Sequence, residues 1–332
     1  MKLIDKVLTC KYGAIFTSES EDKIEAQYKK YCKQLHPDVN SDPRATDAFA
    51  RLGQLKDLAI KALTTGTWED DGIIYFQCVD RKGTLMVRYS YHHTNDVCEC
   101  YVTNEHVVYV FEAKRKKYYD NFLAQMKFGY SNNDLKKRYE PLMPHKMYET
   151  METQDKYIIS LPKLPNVYPL RAVVENVWHG KVPDRHWAWI TSRLLELATF
   201  INYNNRVLNG FDLDSVFVSL DNHQLYLYGG WWFATKKDAP LIGVTSTIWA
   251  TMPPKAKANR IGDAITDIES IKAMGRTYCD NAPDAINNFF QSGSTEPYQE
   301  WQKWEKALEK AYGKRQFIKI SATKEEIYNI KE

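Results

Sequence analysis

The residues best suited to specific chemistry form one short run, His36-Pro37-Asp38. An imidazole donates and accepts hydrogen bonds, and a carboxylate accepts them or pairs with an arginine. The proline ring between the two fixes the backbone and removes one backbone donor. In isolation the run is explained best as a helix stop with a capping aspartate, and the residues around it decide whether it is a binding site.

An amphipathic helix must position this run. Between Asp22 and Leu35 the apolar and aromatic residues recur at the spacing of one helix face, and lysines fall on the other face. Pro37 ends the helix, because its ring disfavours the helical conformation at the residue before it. The run is therefore expected on a tight, exposed loop. The apolar face comprises Ile24, Tyr28, Tyr31, Cys32 and Leu35, and the basic face comprises Lys23, Lys29, Lys30 and Lys33.

A second helix is expected directly after this loop. Ser41 or Asp42 is placed to cap it, and its apolar residues fall on one stripe. The two helices can therefore pair in antiparallel orientation with the loop at their tip. The stripe of the second helix comprises Ala45, Ala48, Phe49, Leu52, Ala59, Ile60 and Leu63.

This helix pair resembles the J-domain of DnaJ-type co-chaperones. In that family an aromatic residue is followed by two basic residues and then by a His-Pro-Asp tripeptide; here these are Tyr28, Lys29-Lys30 and His36-Pro37-Asp38. The resemblance implies that the lysine face, with Lys33, docks on an acidic surface of a DnaK-type chaperone ATPase. The tripeptide would bias that partner toward ATP hydrolysis and client capture. Without the resemblance, the tripeptide is a helix stop and the lysines are a solvated face.

Composition limits the possible classes of function. A chain of 332 residues has room for two or three domains, and a net charge of +3 gives no general signature of nucleic-acid binding. The six cysteines show no C-x-x-C spacing, which predicts free thiols in a reducing compartment. The sequence has no signal-peptide pattern and no long apolar run. We therefore expect a soluble cytoplasmic protein with no membrane partner, in the host cytoplasm if the gene is viral.

The order of the patterns predicts an α+β fold, in which an N-terminal all-α J-domain hairpin precedes a bilobal protein-kinase-like domain. We expect the J-domain at residues 1–66, an acidic linker at 67–72, a lobe of antiparallel sheet plus helix at 73–162 and a mostly helical lobe at 163–332. In the sheet lobe, period-two alternation predicts a four-stranded meander at 73–79, 84–91, 97–102 and 106–111.

Further elements are expected along the rest of the chain. Helices at 114–128 and 133–142 and strands at 146–153 and 157–161 complete the sheet lobe, and Pro162, Pro165 and Pro169 mark a hinge. The helical lobe is expected to contain a strand pair at 215–220 and 224–228. Its predicted helices are 170–178, 184–203, 263–278, 282–290 and 297–312.

The two lobes resemble the protein kinase fold. Residues 205–230 look like the catalytic loop, strand pair and magnesium loop of a kinase, and residues 249–254 look like the end of an activation segment. Asp267 begins a segment similar to the helix whose aspartate braces the catalytic loop. The resemblance covers most of residues 73–320.

The same register implies that the catalytic groups have been lost. The catalytic aspartate position is Gly210, the metal-binding asparagine position is Ser215, and the Asp-Phe-Gly triplet is Tyr228-Gly229-Gly230. The strand that should carry the phosphate-binding lysine has none, and residues 84–112 lack glycines for a phosphate-covering loop. We therefore expect a pseudokinase with no catalytic residue, no bound metal and no cofactor, used to bind an unknown protein client or partner.

Two other functions remain open at this stage. A one-residue shift would place Asp212 or Asp214 in the catalytic-base position, which would give an active atypical kinase or a nucleotide-binding enzyme targeted by its J-domain. A scaffold whose J-domain stimulates no partner is the third possibility.

Three minor patterns have ordinary structural explanations. Cys98, Cys100 and the His92-His93 pair lack a standard zinc spacing, so core thiols and turn histidines are expected. The basic run at 114–117 opens a helix and is expected to be solvated. The tryptophans are expected mainly in the core rather than on a client-binding surface; they are Trp231, Trp232, Trp249, Trp301 and Trp304.

Overall fold

The computed structural model describes residues 2–10, 13–16, 20–70, 72–127, 129–144, 146–314 and 318–330, with side chains left out at residues 14 and 67–70. The fold is mixed α+β, as predicted, with helices at both ends and several sheets between them. None of the helices in these ranges is both long enough and apolar enough to cross a lipid bilayer.

The chain begins with three helices, α1 (Leu3–Thr9), α2 (Glu21–Leu35) and α3 (Ala45–Thr65). At the start of α2 the Ser20 side chain accepts a hydrogen bond from the Lys23 N–H. Helix α3 ends because Gly66 adopts a left-handed conformation with φ 65°, which glycine accommodates without strain. Helices α2 and α3 pack against each other, as the sequence predicts.

The predicted apolar stripes meet between these helices. Ile24 and Leu35 of α2 are almost fully buried, and Tyr28, Tyr31 and Cys32 are partly buried around them. A Lys56 to Glu25 ion pair of 3.0 Å also links α3 to α2. From α1, α3 and the connecting segment, the buried residues are Ile4, Val7, Phe16, Ala48, Leu52, Leu55 and Ala59.

The prediction for the start of α3 was wrong. Arg44 occupies the N-cap position, and no side chain caps the helix there. The carboxylate of Asp42 accepts a hydrogen bond from the Arg44 backbone N–H at 3.0 Å and pairs with the Arg44 guanidinium at 2.8 Å. Asp42 therefore stabilises the turn before the helix, not the first helical turn.

The predicted linker at residues 67–72 is largely a strand. Thr67–Asp70 forms β1, which pairs with β2 (Ile73–Gln77), and β2 pairs with β3 (Thr84–Arg88) in a three-stranded antiparallel sheet. Residue 71 lies outside the described residues. Helix α3 thus continues into the sheet with only Gly66 between them.

A second, five-stranded antiparallel sheet contains β4 (Tyr91–Thr94), β5 (Glu99–Val102), β6 (His106–Glu112), β7 (Glu149–Glu152) and β8 (Lys156–Pro162). The strand order is β4-β5-β6-β8-β7. Helices α4 (Lys116–Gln125) and α5 (Asn133–Tyr139) lie between β6 and β7 in the chain. The helix predicted at 114–128 is therefore shorter, and residue 128 lies outside the described residues.

The single meander predicted at 73–111 was wrong, because the predicted strand at 84–91 is divided between the two sheets. The Tyr89 N–H donates to the Gly72 carbonyl at 2.9 Å, and the Ser90 N–H donates to the Val102 carbonyl at 2.8 Å. The chain therefore passes from one sheet to the other at these two residues.

Both faces of the five-stranded sheet are buried. One face packs on the three-stranded sheet through Tyr101, Val108, Val110 and Ile158. The other face packs on the helices and includes Cys100, Val107, Tyr109, Phe111 and Ile159. This double burial explains why β6 is apolar on both sides.

The remaining chain is mostly helical, and several predicted helices are confirmed. Helices α7 and α12 have the predicted bounds, while α10 and α11 differ from the prediction by one or two residues at their ends. Helices α8, α9 and α13 were not predicted. The elements are β9 (Val167–Pro169), α6 (Leu170–Ala172), β10 (Val182–Pro183), α7 (Asp184–Tyr203), β11 (Arg206–Val207), β12 (Phe217–Ser219), β13 (Gln224–Tyr226), β14 (Thr235–Lys236), α8 (Ser246–Thr251), α9 (Pro254–Asn259), α10 (Ala264–Tyr278), β15 (Cys279–Asp280), α11 (Asp284–Gln291), α12 (Pro297–Tyr312) and α13 (Lys324–Tyr328).

A fully buried ion pair joins α10 to α12. Lys272 Nζ lies 2.8 Å from Glu300 Oε2, and neither side chain has any solvent exposure. Lys272 Nζ also donates to the backbone carbonyl of Ser292 at 3.1 Å. Glu300 also pairs with the partly exposed Lys303 at 2.6 Å, but loss of the Glu300 charge leaves the buried Lys272 ammonium with neutral acceptors only.

Glu300→Gln should therefore destabilise the fold by about 3–5 kcal/mol, since it leaves the Lys272 ammonium buried without its carboxylate. Urea denaturation followed by circular dichroism measures the loss. Glu309→Gln, on the exposed side of the same helix, is the matched control and should change the unfolding free energy by less than about 0.5 kcal/mol. Equal midpoints for the two variants would contradict the assigned role of the pair.

Candidate functional site

The His36-Pro37-Asp38 run lies at the tip of the α2–α3 pair and is exposed to solvent. The side chain of His36 is 47% exposed and that of Asp38 is 85% exposed. Lys29, Lys30 and Lys33 are also exposed, on the adjoining surface of α2. The structure therefore brings all six predicted partner-binding residues to one end and one face of the helix pair.

Local hydrogen bonds order this tip. His36 Nδ1 accepts a hydrogen bond from the Asp38 backbone N–H at 3.2 Å, and the Asn40 side-chain amide donates to the Gln34 carbonyl at 2.9 Å. The His36 ring also meets Phe49 of α3 edge-on, with ring centroids 5.3 Å apart. Because Nδ1 accepts a hydrogen bond, Nε2 carries the proton of the neutral ring and is the donor left for a partner.

The five positions predicted to be degenerate kinase positions lie close together in the helical part of the chain. The Gly229 N–H donates to the Ser215 carbonyl at 3.0 Å, and a Cβ on Gly230 would lie 2.7 Å from the Ser215 hydroxyl. Tyr228 is buried beside Phe217, with ring centroids 5.3 Å apart. Gly210 adopts φ 118°, and a Cβ there would lie 2.5 Å from an Ile248 side-chain carbon.

The predicted brace by Asp267 is present. Its carboxylate accepts hydrogen bonds from the Leu208 N–H at 3.0 Å and the Gly210 N–H at 2.8 Å. Burial raises the pKa of Asp267 to about 7, although these backbone donors act to lower it. The Asp267 side chain therefore fixes the backbone of residues 208–210.

A cleft of about 960 Å³ separates strand β4 from the 211–214 loop. His93 of β4 reaches across it, with Nε2 3.2 Å from Asp214 Oδ1, and both side chains are about nine-tenths buried. Arg171 contacts the same carboxylate and also pairs with Glu175 at 2.8 Å. These four side chains, which we call the polar clasp, connect the sheet to the helical part.

The pKa values of Asp212 and Asp214 are shifted in opposite directions. Burial, with the neighbouring Asp214 charge, raises the pKa of Asp212 to about 6, and hydrogen bonds from Ser215 oppose that rise. Burial would also raise the pKa of Asp214, but hydrogen bonds and charges from His93 and Arg171 lower it to about 2. Asp214 is therefore fully charged at neutral pH, and the Arg171 guanidinium is its cationic partner.

A second contact across the cleft is aromatic. Tyr91 lies two residues before His93, so both side chains leave the same face of β4. The Tyr91 ring stacks on Tyr328 with centroids 5.7 Å apart, and Tyr328 meets Tyr168 at 5.6 Å. We call these three rings the aromatic clasp.

The minor patterns have ordinary structural roles in the described residues. Cys98 and Cys100 are buried in the main core, and His92 stacks on Tyr101 at 4.3 Å. No cluster of three or more potential metal-binding His, Cys, Asp or Glu side chains occurs in the described part of the chain. Trp231, Trp232 and Trp304 are buried, whereas Trp249 is 38% exposed.

Sequence reasoning missed most of the cleft. Arg171, Tyr91 and Tyr328 were not singled out, and His93 was considered only as part of a zinc site. The acidic pair at 212 and 214 was the one available signal. The partners of that pair come from distant parts of the chain, and no local pattern joins them.

No protein-family model matches the chain, and no curated protein is significantly similar to it in sequence.

Asp214→Asn should make the protein about 2 kcal/mol less stable at pH 7, because the lowered pKa of Asp214 stabilises the folded state. A carboxyl whose folded pKa is depressed contributes this stability above its unfolded pKa, near 3.8, and loses it as the pH falls toward 2. The difference between the wild type and the variant should therefore shrink as the pH falls from 5 to 3.

Urea titrations at several pH values measure this difference. Asp57→Asn, at an exposed carboxyl of α3, is the matched control for removing one carboxylate. A pH-independent difference for Asp214→Asn would contradict the charged clasp.

Proposed function

We propose that the protein is a co-chaperone. Its α1–α3 part acts as a J-domain that stimulates the ATPase of a DnaK-type chaperone, and the rest of the chain is a catalytically inactive kinase-like domain that binds a client or partner protein. The single observation that carries the proposal is the exposed, hydrogen-bonded His36-Pro37-Asp38 tip on a packed helix pair. A partner can reach this tip without any change in the fold.

The lysine face has the properties of a docking surface for an acidic partner. Lys29, Lys30 and Lys33 are exposed along α2, so they raise the association rate through long-range attraction and are sensitive to salt. The tip supplies the directional contacts: Asp38 accepts hydrogen bonds or pairs with an arginine, and His36 Nε2 donates. Pro37 fixes the backbone that presents them.

The kinase-like assignment is supported by the order of elements. The third strand of the five-stranded sheet, β6, is followed by helix α4, which is where a kinase pairs a strand lysine with a helix glutamate. Here β6 carries Tyr109 among its buried, largely apolar side chains, and the buried polar side chain of α4 is Asn121. Asn121 donates to the backbone carbonyls of Trp232 and Ala234 at 3.0 and 2.9 Å. Tyr109 and Asn121 therefore stabilise the packing between the sheet and the helical part of the chain.

The packing around the degenerate positions supports the absence of phosphoryl transfer. A carboxylate at Gly210 would require a side chain where Ile248 already lies, and a Cβ on Gly229 would lie 2.6 Å from the Asp214 carbonyl. Kinase catalysis depends on carboxylates that position the nucleophile and hold the metal ions. The local packing leaves no room for such groups at these positions without rearrangement.

The alternative, an active atypical kinase, is favoured by one observation: Asp212 and Asp214 line the cleft. Both carboxylates already have protein partners. Asp212 Oδ1 accepts hydrogen bonds from the Asp214 N–H at 3.0 Å and from the Ser215 hydroxyl at 2.5 Å. Asp214 is held in the polar clasp. We therefore keep the co-chaperone as the principal proposal.

The wild type should raise the steady-state ATPase rate of a DnaK-type chaperone, and His36→Gln should abolish the increase, because the variant removes the imidazole ring that packs on Phe49 and accepts the Asp38 N–H at the tip. Lys61→Glu, at an exposed lysine near the C-terminal end of α3, is the matched surface control and should stimulate like the wild type. Replacing Lys29, Lys30 and Lys33 by glutamate should weaken binding by roughly tenfold, which is about 1.4 kcal/mol. Equal ATPase rates for the wild type and His36→Gln would exclude the co-chaperone function.

ATP with Mg²⁺ should leave the melting temperature of the purified protein unchanged, because the cleft residues are paired with one another. A nucleotide at about 100 times its Kd would add about 2.7 kcal/mol to the stability, and hence raise the melting temperature measurably. A clear rise, together with labelling of the protein or of a substrate from radioactive ATP, would instead support the kinase.

A further inference from the structure

The groove beside the polar clasp is filled by a segment of the chain itself. In the Thr323–Ile330 segment, Ile327 is fully buried and Tyr328 is 8% exposed, whereas Glu325 and Ile330 are exposed. The short helix α13 in this segment packs on the Val173–Val177 turn. Only two of its side chains are therefore deeply inserted.

The groove contacts this segment in the way that a peptide-binding site contacts a ligand. The Asn176 side-chain amide donates to the backbone carbonyl of Ile327 at 2.8 Å, a contact that any peptide backbone can offer. Tyr91 and Tyr168 hold the Tyr328 ring between the sheet and the helical part. The groove thus combines one main-chain contact with two side-chain pockets.

The segment is weakly held compared with the core helices. Only two deeply buried side chains and the Asn176 hydrogen bond oppose the conformational entropy lost by these eight residues. A like-charge contact also weakens the attachment of the segment, because Lys324 lies near Lys163. Burial, and then the charge of Lys324, lower the pKa of Lys163 to about 8. Segments with few buried contacts open locally at a lower cost than the global fold.

We propose that the groove formed by Tyr91, Tyr168, Asn176 and the Val173–Val177 turn is a peptide-binding site that the Thr323–Ile330 segment occupies in cis. Its partner in trans is an exposed polypeptide segment with a branched aliphatic residue followed directly by tyrosine, which displaces the cis segment. The inference rests on the proposed role of residues 73–332 in binding a client or partner.

The test uses the full chain and a fluorescein-labelled peptide with the sequence of residues 321–330, SATKEEIYNI. The double variant Ile327→Asp with Tyr328→Ala removes the cis occupant but leaves the groove intact. Fluorescence polarisation should show at least tenfold tighter peptide binding to this variant than to the wild type. Glu325→Gln, on the exposed side of α13, should bind like the wild type, and a peptide with alanine at both inserted positions should not bind.

Hydrogen exchange of the wild type tests whether the Thr323–Ile330 segment leaves the groove, even if the double variant does not fold. The amides of residues 323–330 should exchange faster than those of α10, and excess unlabelled peptide should accelerate their exchange further. Exchange of this segment only through global unfolding, or no tighter peptide binding by a folded double variant, would overturn the proposal. Neither result bears on stimulation of the chaperone ATPase, so the two proposals fail separately.

Discussion

The Asp267 carboxylate is the support on which the central part of the molecule depends. It is buried in α10 and accepts the backbone N–H groups of Leu208 and Gly210, at a depth where an unpaired backbone donor is costly. The loop that it fixes continues to Asp212 and Asp214. Those side chains in turn hold Ser215, His93 and Arg171. One buried acceptor thus determines where the whole polar side of the cleft lies.

The cleft is closed by neighbouring side chains of one strand. Because side chains two residues apart share a face of a strand, β4 presents Tyr91 and His93 together to the helical part. One of them makes an aromatic contact and the other a charged one, and the two contacts differ in their response to solvent conditions. The contact to the Asp214 carboxylate is electrostatic and is lost only when that carboxyl is protonated, near pH 2, whereas the aromatic contact depends mainly on buried area. Closure of the cleft therefore does not depend on a single type of interaction.

The sequence predicted those features that depend on local periodicity. The α2 and α3 stripes, the exposed tip and the bounds of α7 and α12 all follow from apolar spacing, proline and glycine. The division of the 84–91 strand between two sheets was not predictable, because Tyr89 and Ser90 continue the same alternation while their backbone partners, Gly72 and Val102, lie far away in sequence. The clasp residues were missed for the same reason. Their chemistry arises only when strand β4, the turn after α6 and the 211–214 loop come together.

The junction after α3 determines how the two parts of the molecule can work together. Gly66 turns the chain, its carbonyl accepts the Gln77 N–H at 2.7 Å, and the next residue already pairs with Phe76 in the sheet. A flexible tether would let a bound chaperone explore a large volume, and its local concentration at the cleft would fall as the tether lengthened. A strand that begins directly after the helix is instead a rigid connection between the helices and the sheet. In the proposed co-chaperone, a chaperone docked at the tip would be held at one distance and one angle from the sheet, so a client polypeptide would reach it along a single path.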